Sequence, residues 1–174
     1  MKSRFLAWLF ATWVLAFAPL AALADGGADW QTAWATSHGA VQTTPDMTNR
    51  TVRMLLMPSI SGTHIRVKLE NTMGTKPVTF SAAYLGDAIG EGADVKAGSN
   101  HALTFDGLPG LTLAAGQGAY SDAIEFKVRA FRKVSLSLHV ASAGDISTHV
   151  VGLRINYSAP GNRAADVSGA GFEP

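Results

Sequence analysis

The mature part of this sequence predicts an all-β protein, a single antiparallel β-sandwich of jelly-roll type behind a signal peptide. Three observations predict it. Short apolar runs alternate with polar residues at period two. Clusters of Gly, Asp, Asn and Ser separate these runs at intervals of about 8–12 residues, the spacing of sandwich strands. No stretch beyond residue 24 carries an apolar stripe of helical period and length.

Taken in order, the first strand spans 51–57, with Val52, Met54 and Leu56 on one side. Pro58, Ser59, Ser61 and Gly62 then form a turn-rich link, so a hairpin with the next strand, 65–69, is expected. There Ile65, Val67 and Leu69 alternate with Arg66 and Lys68. Asn71 to Pro77 break the pattern, and strands follow at 78–84, 101–105, 111–113 and 123–128. The clearest alternation is Val134, Leu136, Leu138 and Val140 against Ser135, Ser137 and His139, which sets the serines and the histidine on a polar, solvated face. A last strand is expected over 147–157. Residues 158–174 are small, polar and rich in Gly and Pro, and read as a flexible C-terminal tail. The domain boundaries are therefore 1–24, 25–157 and 158–174.

Residues 1–24 read as the signal peptide. Lys2 and Arg4 precede 16 apolar or neutral residues, 5–20, and Ala22-Leu23-Ala24 supplies small residues for cleavage before Asp25. An uncleaved anchor is the alternative, but the run is shorter than the roughly 20 residues a membrane span needs. The expected location is the periplasm or the extracellular space, with no membrane association after cleavage. Cleavage removes two of the 14 basic residues, leaving 12 against 13 acidic ones and a net charge of −1. That balance argues against a nucleic-acid partner. The chain has no cysteine, which excludes disulfides, thiolate metal sites and a lipidated anchor.

Several residues carry a resemblance to a known family. Trp34-Ala35-Thr36-Ser37 matches a W-A-x-S pattern. Residues 65–80, with Asn71, Gly74, Thr75 and Pro77, match R-V-R-L-S-N-x-F-G-T-x-P-L-T-I, and Ala102-Leu103-Thr104-Phe105 matches A-L-T-F. In register these resemble the N-terminal β-domain of secreted SGNH/GDSL-type esterases. The resemblance implies carboxylic-ester hydrolysis by a Ser-His-Asp mechanism, carried out in a later α/β domain that this chain lacks. Glu70 and Met73 stand where the family has Ser and Phe.

The chain itself is expected not to be an enzyme. Gly86-Asp87-Ala88-Ile89-Gly90-Glu91-Gly92 looks like the family's nucleophile block, but Ala88 occupies the serine position and has no hydroxyl. It reads as a loop. No G-x-S-x-G elbow occurs, and His38, His64, His101, His139 and His149 are scattered. No H-x-H, H-E-x-x-H or acidic calcium loop is present, so no metal and no cofactor are expected.

For Asn71 and Gly74 the local reasons are a self-satisfied turn and tolerance of positive φ. Trp30, Tyr84, Tyr120 and Tyr157 are candidate platforms for stacking on a sugar; the plainer reading is that the tryptophans pin the N-terminal segment to the domain. Lys127, Arg129, Arg132 and Lys133 gather around Phe131, as a solvated strand face or as a patch for an anionic polymer.

The expected function is that of an exported accessory β-domain of an SGNH/GDSL-type esterase, supporting the enzyme or positioning its carbohydrate or acyl-ester substrate. Its partner would be the missing catalytic domain. The alternative is a stand-alone secreted carbohydrate-binding or interaction module. The strand assignment makes a prediction. Leu136→Asp would bury a charge and cost several kcal/mol, of the order of the whole stability of a domain. Thermal melting checks this, and a wild-type transition would mean that the strand phase is wrong.

Overall fold

The computed structural model describes residues 29–39, 46–145, 149 and 154–174. The chain divides into two compact units, Met1–Gln31 and Thr32–Pro174. Of the first, only positions 29–31 are described, and the expected signal peptide lies outside the described residues. Among its described residues the second unit holds ten strands and no helix: β1 Arg50–Leu56, β2 Gly62–Ile65, β3 Lys68–Glu70, β4 Val78–Asp87, β5 His101–Leu103, β6 Leu111–Leu113, β7 Gly118–Tyr120, β8 Ile124–Val128, β9 Val134–Ser142 and β10 Asn156–Pro160. All pairings are antiparallel. One six-stranded sheet runs β10-β1-β9-β4-β5, with β6 also on β4; β2-β8 and β3-β7 are two-stranded.

Register assigns every side chain of the large sheet to one of two faces. On the first, Met54 stands opposite Leu136 and that opposite Leu85; Val52, Leu138, Ala83 and Leu103 form the next row. This face shares one hydrophobic cluster with Leu69 of β3 and Phe126 and Val128 of β8. Leu85 is fully buried and Leu136 is 2% exposed. Each such leucine stabilises the fold by about 1.5–3 kcal/mol.

The second face is polar at its centre and is buried there, contrary to the solvated face expected for Ser135, Ser137 and His139. Its central row crosses five strands: Tyr157, Arg53, Ser137, Tyr84 and Ala102. Arg53 and Ser137 have no solvent exposure. The Arg53 guanidinium donates to Ser137 Oγ at 2.8 Å, the Ala93 carbonyl at 2.6 Å and the Asp166 carbonyl at 2.5 Å. Longer bonds of 3.4 Å reach the carbonyls of Ser168 and Arg163. The Phe172 ring covers it, 4.0 Å from Cζ. Burial lowers the Arg53 pKa while Asp166 raises it, and an arginine remains charged through such a shift.

The segment 158–174 is accordingly no loose tail. Its first residues complete β10, Gly161 accepts from Thr51 Oγ1 at 2.7 Å, and Ser158 and Glu173 exchange two backbone bonds of 2.7 and 2.9 Å. Ala159 and Ala164 are fully buried. The segment lacks apolar periodicity because it packs through carbonyls and small residues onto a charged group. A Cβ at Gly169 would lie 2.8 Å from the Ala93 backbone.

Other elements differ from the sequence reading. The expected strand 65–69 is two strands, β2 and β3, that pair with different partners. Between them Val67 bonds to Ser121 through both its N–H, 2.9 Å to Oγ, and its carbonyl, 2.7 Å from the Ser121 N–H. β1 and β2 do not form a hairpin; they belong to different sheets. Of the expected strand 147–157, positions 149 and 154–157 are described, and of these only the last two are strand, in β10.

Replacing Arg53 with Met would leave the buried Ala93 carbonyl and the part-buried Asp166 carbonyl without this donor, the first at about 1–3 kcal/mol and the second at less. The urea midpoint should fall accordingly, and limited proteolysis should cut first within 161–174. An unchanged midpoint would show that Arg53 does not hold the segment.

Candidate functional site

A cleft of about 610 Å³ opens beside the start of β9. One wall comes from β8 and the turn after it. Lys127 alternates with buried Phe126 and Val128, so its side chain leaves on the side away from the core. The chain then reverses at Phe131, whose φ of +60° is left-handed, an outlier for a bulky residue. Three bonds hold the reversal. The Ala130 N–H donates to Ser61 Oγ at 2.9 Å, the Phe131 N–H to the Pro58 carbonyl at 2.8 Å, and the Arg132 N–H to the Arg129 carbonyl at 3.1 Å. Phe131 is left 69% exposed, the most of any large apolar side chain described.

The other wall is the end of β4 at Asp87 and the chain just after it, Ala88 and Gly90, followed by Lys96. The expected loop 86–92 thus begins as strand, since Gly86 and Asp87 pair with Ser135 and Val134 of β9. The Asp87–Val134 pairing of β4 with β9 joins the two walls. The Ala88 N–H donates to the Lys133 carbonyl at 3.3 Å, Ala88 and Val95 form an isolated bridge, and the Lys96 N–H reaches the Asp87 carbonyl at 2.8 Å. The loop that resembles a nucleophile block therefore frames a cleft rather than presenting a nucleophile, since its Ala88 carries only a methyl group.

Five cations, Lys96, Lys127, Arg129, Arg132 and Lys133, line this cleft against one carboxylate, Asp87. Lys133 donates to the Gly90 carbonyl at 2.7 Å and pairs with Glu91, which also lies 3.5 Å from Arg154. Those contacts, the Lys133 hydrogen bond first, hold the Glu91 carboxyl below its usual range. Among the described residues, no carboxylate is within ion-pair distance of the Lys96, Lys127, Arg129 or Arg132 side chains. Like charges gathered without counter-charges repel, and an anion entering the cleft relieves that repulsion.

The residues singled out by the family resemblance lie elsewhere and do architectural work. Asn71 is 1% exposed; its amide donates to the carbonyls of Lys76, Ala114 and Leu113 at 2.9, 3.2 and 3.3 Å, tying two loops together. Gly74 is not left-handed, contrary to the expected reason for a glycine there. Close approach requires it, because a Cβ would lie 1.8 Å from Asn71 Oδ1 and 2.6 Å from the Asp145 carbonyl oxygen. Thr75 donates to the Asp145 carboxylate at 2.5 Å and Lys76 lies 3.3 Å from it, which lowers the Asp145 pKa. The Pro77 carbonyl abuts left-handed Gly144, where a Cβ would approach to 2.2 Å. Trp34 is 44% exposed; the neighbouring Ala33 carbonyl is what ties the segment, accepting from the Ser59 N–H at 2.8 Å. The Ser37 carbonyl accepts from His149 Nδ1 at 3.0 Å.

The three tyrosines among the stacking candidates do not form one platform. Tyr84 and Tyr157 share a row but are separated by Arg53 and Ser137, three strand spacings or about 14 Å. The Tyr157 hydroxyl donates to the Glu91 carbonyl at 2.6 Å. Tyr120, on the β3-β7 ribbon, lies under the Arg66 guanidinium at 4.3 Å, and Trp30 belongs to the first unit. Of the cleft, the sequence named Lys127, Arg129, Phe131, Arg132 and Lys133; it missed Lys96 and Asp87, which only the β4-β9 pairing brings alongside.

Among the described residues, no group of three His, Asp or Glu side chains could hold a metal, and no helix is long and apolar enough to cross a membrane. A scan against protein-family models finds no match, and a search of curated proteins finds none.

Gly74→Ala tests the loop architecture. The added methyl overlaps Asn71 Oδ1, so a loss of about 1–3 kcal/mol is expected from overpacking. Urea unfolding measures it, and a midpoint within error of wild type would show that the loop yields freely.

Proposed function

We propose that this chain is an exported β-domain that binds an anionic ligand, one bearing carboxylate or phosphate groups, in the cleft between the end of β4 with the residues just after it and the turn at Phe131. The observation that carries the reading is the convergence of five cations on one cleft, four of them without a carboxylate partner among the described residues, in a chain whose mature net charge is −1. Charge so concentrated against the overall balance marks a recognition surface. Exposed Phe131 offers an aromatic face beside the cations, as suits a carboxylated sugar.

The finer architecture belongs to the same proposal. The large sheet and the two ribbons pack as the layers of a jelly-roll-like sandwich. The shared cluster of Leu69, Phe126 and Val128 with Leu85 and Leu136 supports it.

The sequence matches at Trp34, Ser37 and residues 65–80 support a second reading. In it the domain accompanies an SGNH/GDSL-type catalytic domain and positions acyl-ester or carbohydrate substrates for it. The two readings are compatible, since an anion cleft would hold an acidic, acylated polysaccharide near the chemistry. The apolar leader over 5–20 supports the exported location.

The test is titration calorimetry with polygalacturonate, with neutral dextran as control. Binding should weaken steeply as salt rises, because exposed charges are screened. The charge-reversed pair Lys127→Glu and Arg129→Glu should weaken it more than about tenfold, which is 1.4 kcal/mol, while melting stays unchanged. Equal binding by the variant, or none by the wild type, would overturn the cleft as the site.

A further inference from the structure

A second constellation stands at the other end of the same strand pair. In β4, Phe80 is opposite Val140 and Ala82 is opposite His139, so Ser81 is an extra residue, a β-bulge. Bulges leave one residue outside the ladder, re-aim its side chain, and are over-represented beside active sites. Here Ser81 Oγ lies 2.6 Å from His139 Nδ1, and His139 Nε2 lies 3.2 Å from Asn49 Oδ1. Ser81 is exposed while His139 is 7% exposed.

Three features fix this arrangement. Asn49 adopts a left-handed φ of +55°, with its N–H bonded to the Val140 carbonyl at 2.8 Å and its carbonyl to the Gly161 N–H at 2.7 Å. Glycine at 110 lets the chain pass close, since a Cβ there would lie 2.3 Å from the Phe80 carbonyl oxygen and 2.8 Å from Ser81 Cα. The amide oxygen of Asn49 can only accept, so Nε2 carries the imidazole proton. Nδ1 is then left with a free lone pair facing the Ser81 hydroxyl, the tautomer a general base needs. Burial lowers the His139 pKa, which favours the neutral ring.

We propose that Ser81 is a nucleophile that accepts an acyl group from a carboxylic ester, with His139 as its general base and Asn49 as the residue that positions the imidazole. Ser81 Oγ attacks the ester carbonyl carbon as its proton passes to His139 Nδ1. The bond from that carbon to the alcohol oxygen breaks, and the departing alkoxide takes the proton back from Nδ1 and leaves as alcohol. An acyl-serine and a neutral histidine remain. A neutral Asn orients the ring without a carboxylate to stabilise its charged form, so a slow acyl acceptor is expected. The site is separate from the basic cleft, and the binding reading stands or falls independently of it.

The test treats the folded full chain with a fluorophosphonate, which mimics the ester carbonyl, and with nitrophenyl acetate, and maps the adduct by peptide mass spectrometry. Labelling is expected at Ser81, at least about 100-fold faster than at exposed Ser59 or at Ser81 in urea-unfolded chain, the low end of a general base's contribution. One nitrophenolate per chain should appear as a burst. Ser81→Ala should abolish both, and His139→Gln should lower the rate about 100-fold or more. Asn49→Ala should slow labelling, and Asn49→Asp, which keeps an acceptor oxygen, should restore it; a purely structural role for Asn49 would leave the rate of the folded variant unmoved. Labelling at Ser81 no faster than at Ser59 would overturn the proposal. If His139→Gln does not fold, the ratio of folded to unfolded wild-type labelling at Ser81 decides.

Discussion

A guanidinium with no solvent exposure, in the middle of a sheet, constrains everything that covers it. Arg53 brings five N–H donors and a charge into the interior, and each donor left unmade would cost free energy. An apolar helix or strand laid over that face could not supply acceptors. A segment that turns its carbonyls inward can, provided its side chains are small enough to let the backbone come close. Residues 158–174 fit that requirement, with Ala159, Ala164 and Gly169 at the closest approaches and Phe172 lying over both Arg53 and Arg163, 4.0 and 5.0 Å from ring to guanidinium. Lysine would not substitute, because a single ammonium cannot reach carbonyls in several directions within one plane.

The same buried row makes the sheet intolerant of slippage. One face is apolar at its centre around Leu85 and Leu136, and the other is polar around Arg53, Ser137, Thr51 and His139. A one-residue shift of β9 against β1 would put serines into the leucine layer and leucines against the guanidinium. Two buried faces of opposite character thus specify register more strongly than one buried face opposite water.

This also explains which parts of the fold are legible in the sequence. The strands β1, β4 and β9 show plainly, because alternation records that their two faces differ. It does not record whether the polar face meets water or an internal arginine, so Ser137 and His139 read as solvated. The tail is illegible for a related reason: backbone carbonyls that accept from a guanidinium leave no mark on side-chain hydropathy. The division of 65–69 into β2 and β3 depends on Ser121, more than fifty residues away and silent in local pattern. At the cleft, the cations of 127–133 are contiguous and visible, whereas Lys96 and Asp87 join them only through the pairing of β4 with β9. The Ser81, His139 and Asn49 contacts are hidden further, since each residue alone looks like an ordinary polar surface position.

Placement along β4 and β9 keeps the two proposed sites apart. The cleft forms where Asp87 meets Val134, and the serine contact forms where the bulge at Ser81 meets His139. Asp87 lies six positions along the strand from Ser81, about 20 Å at the usual rise, and the Arg53–Ser137 row lies between. Sites that far apart with no shared partner contribute nearly additively. Charge reversal at the rim of the cleft should therefore leave the hydroxyl–imidazole contact intact. Both sites rest on the same rigid strand pair, which the buried arginine and its covering segment hold in a single register.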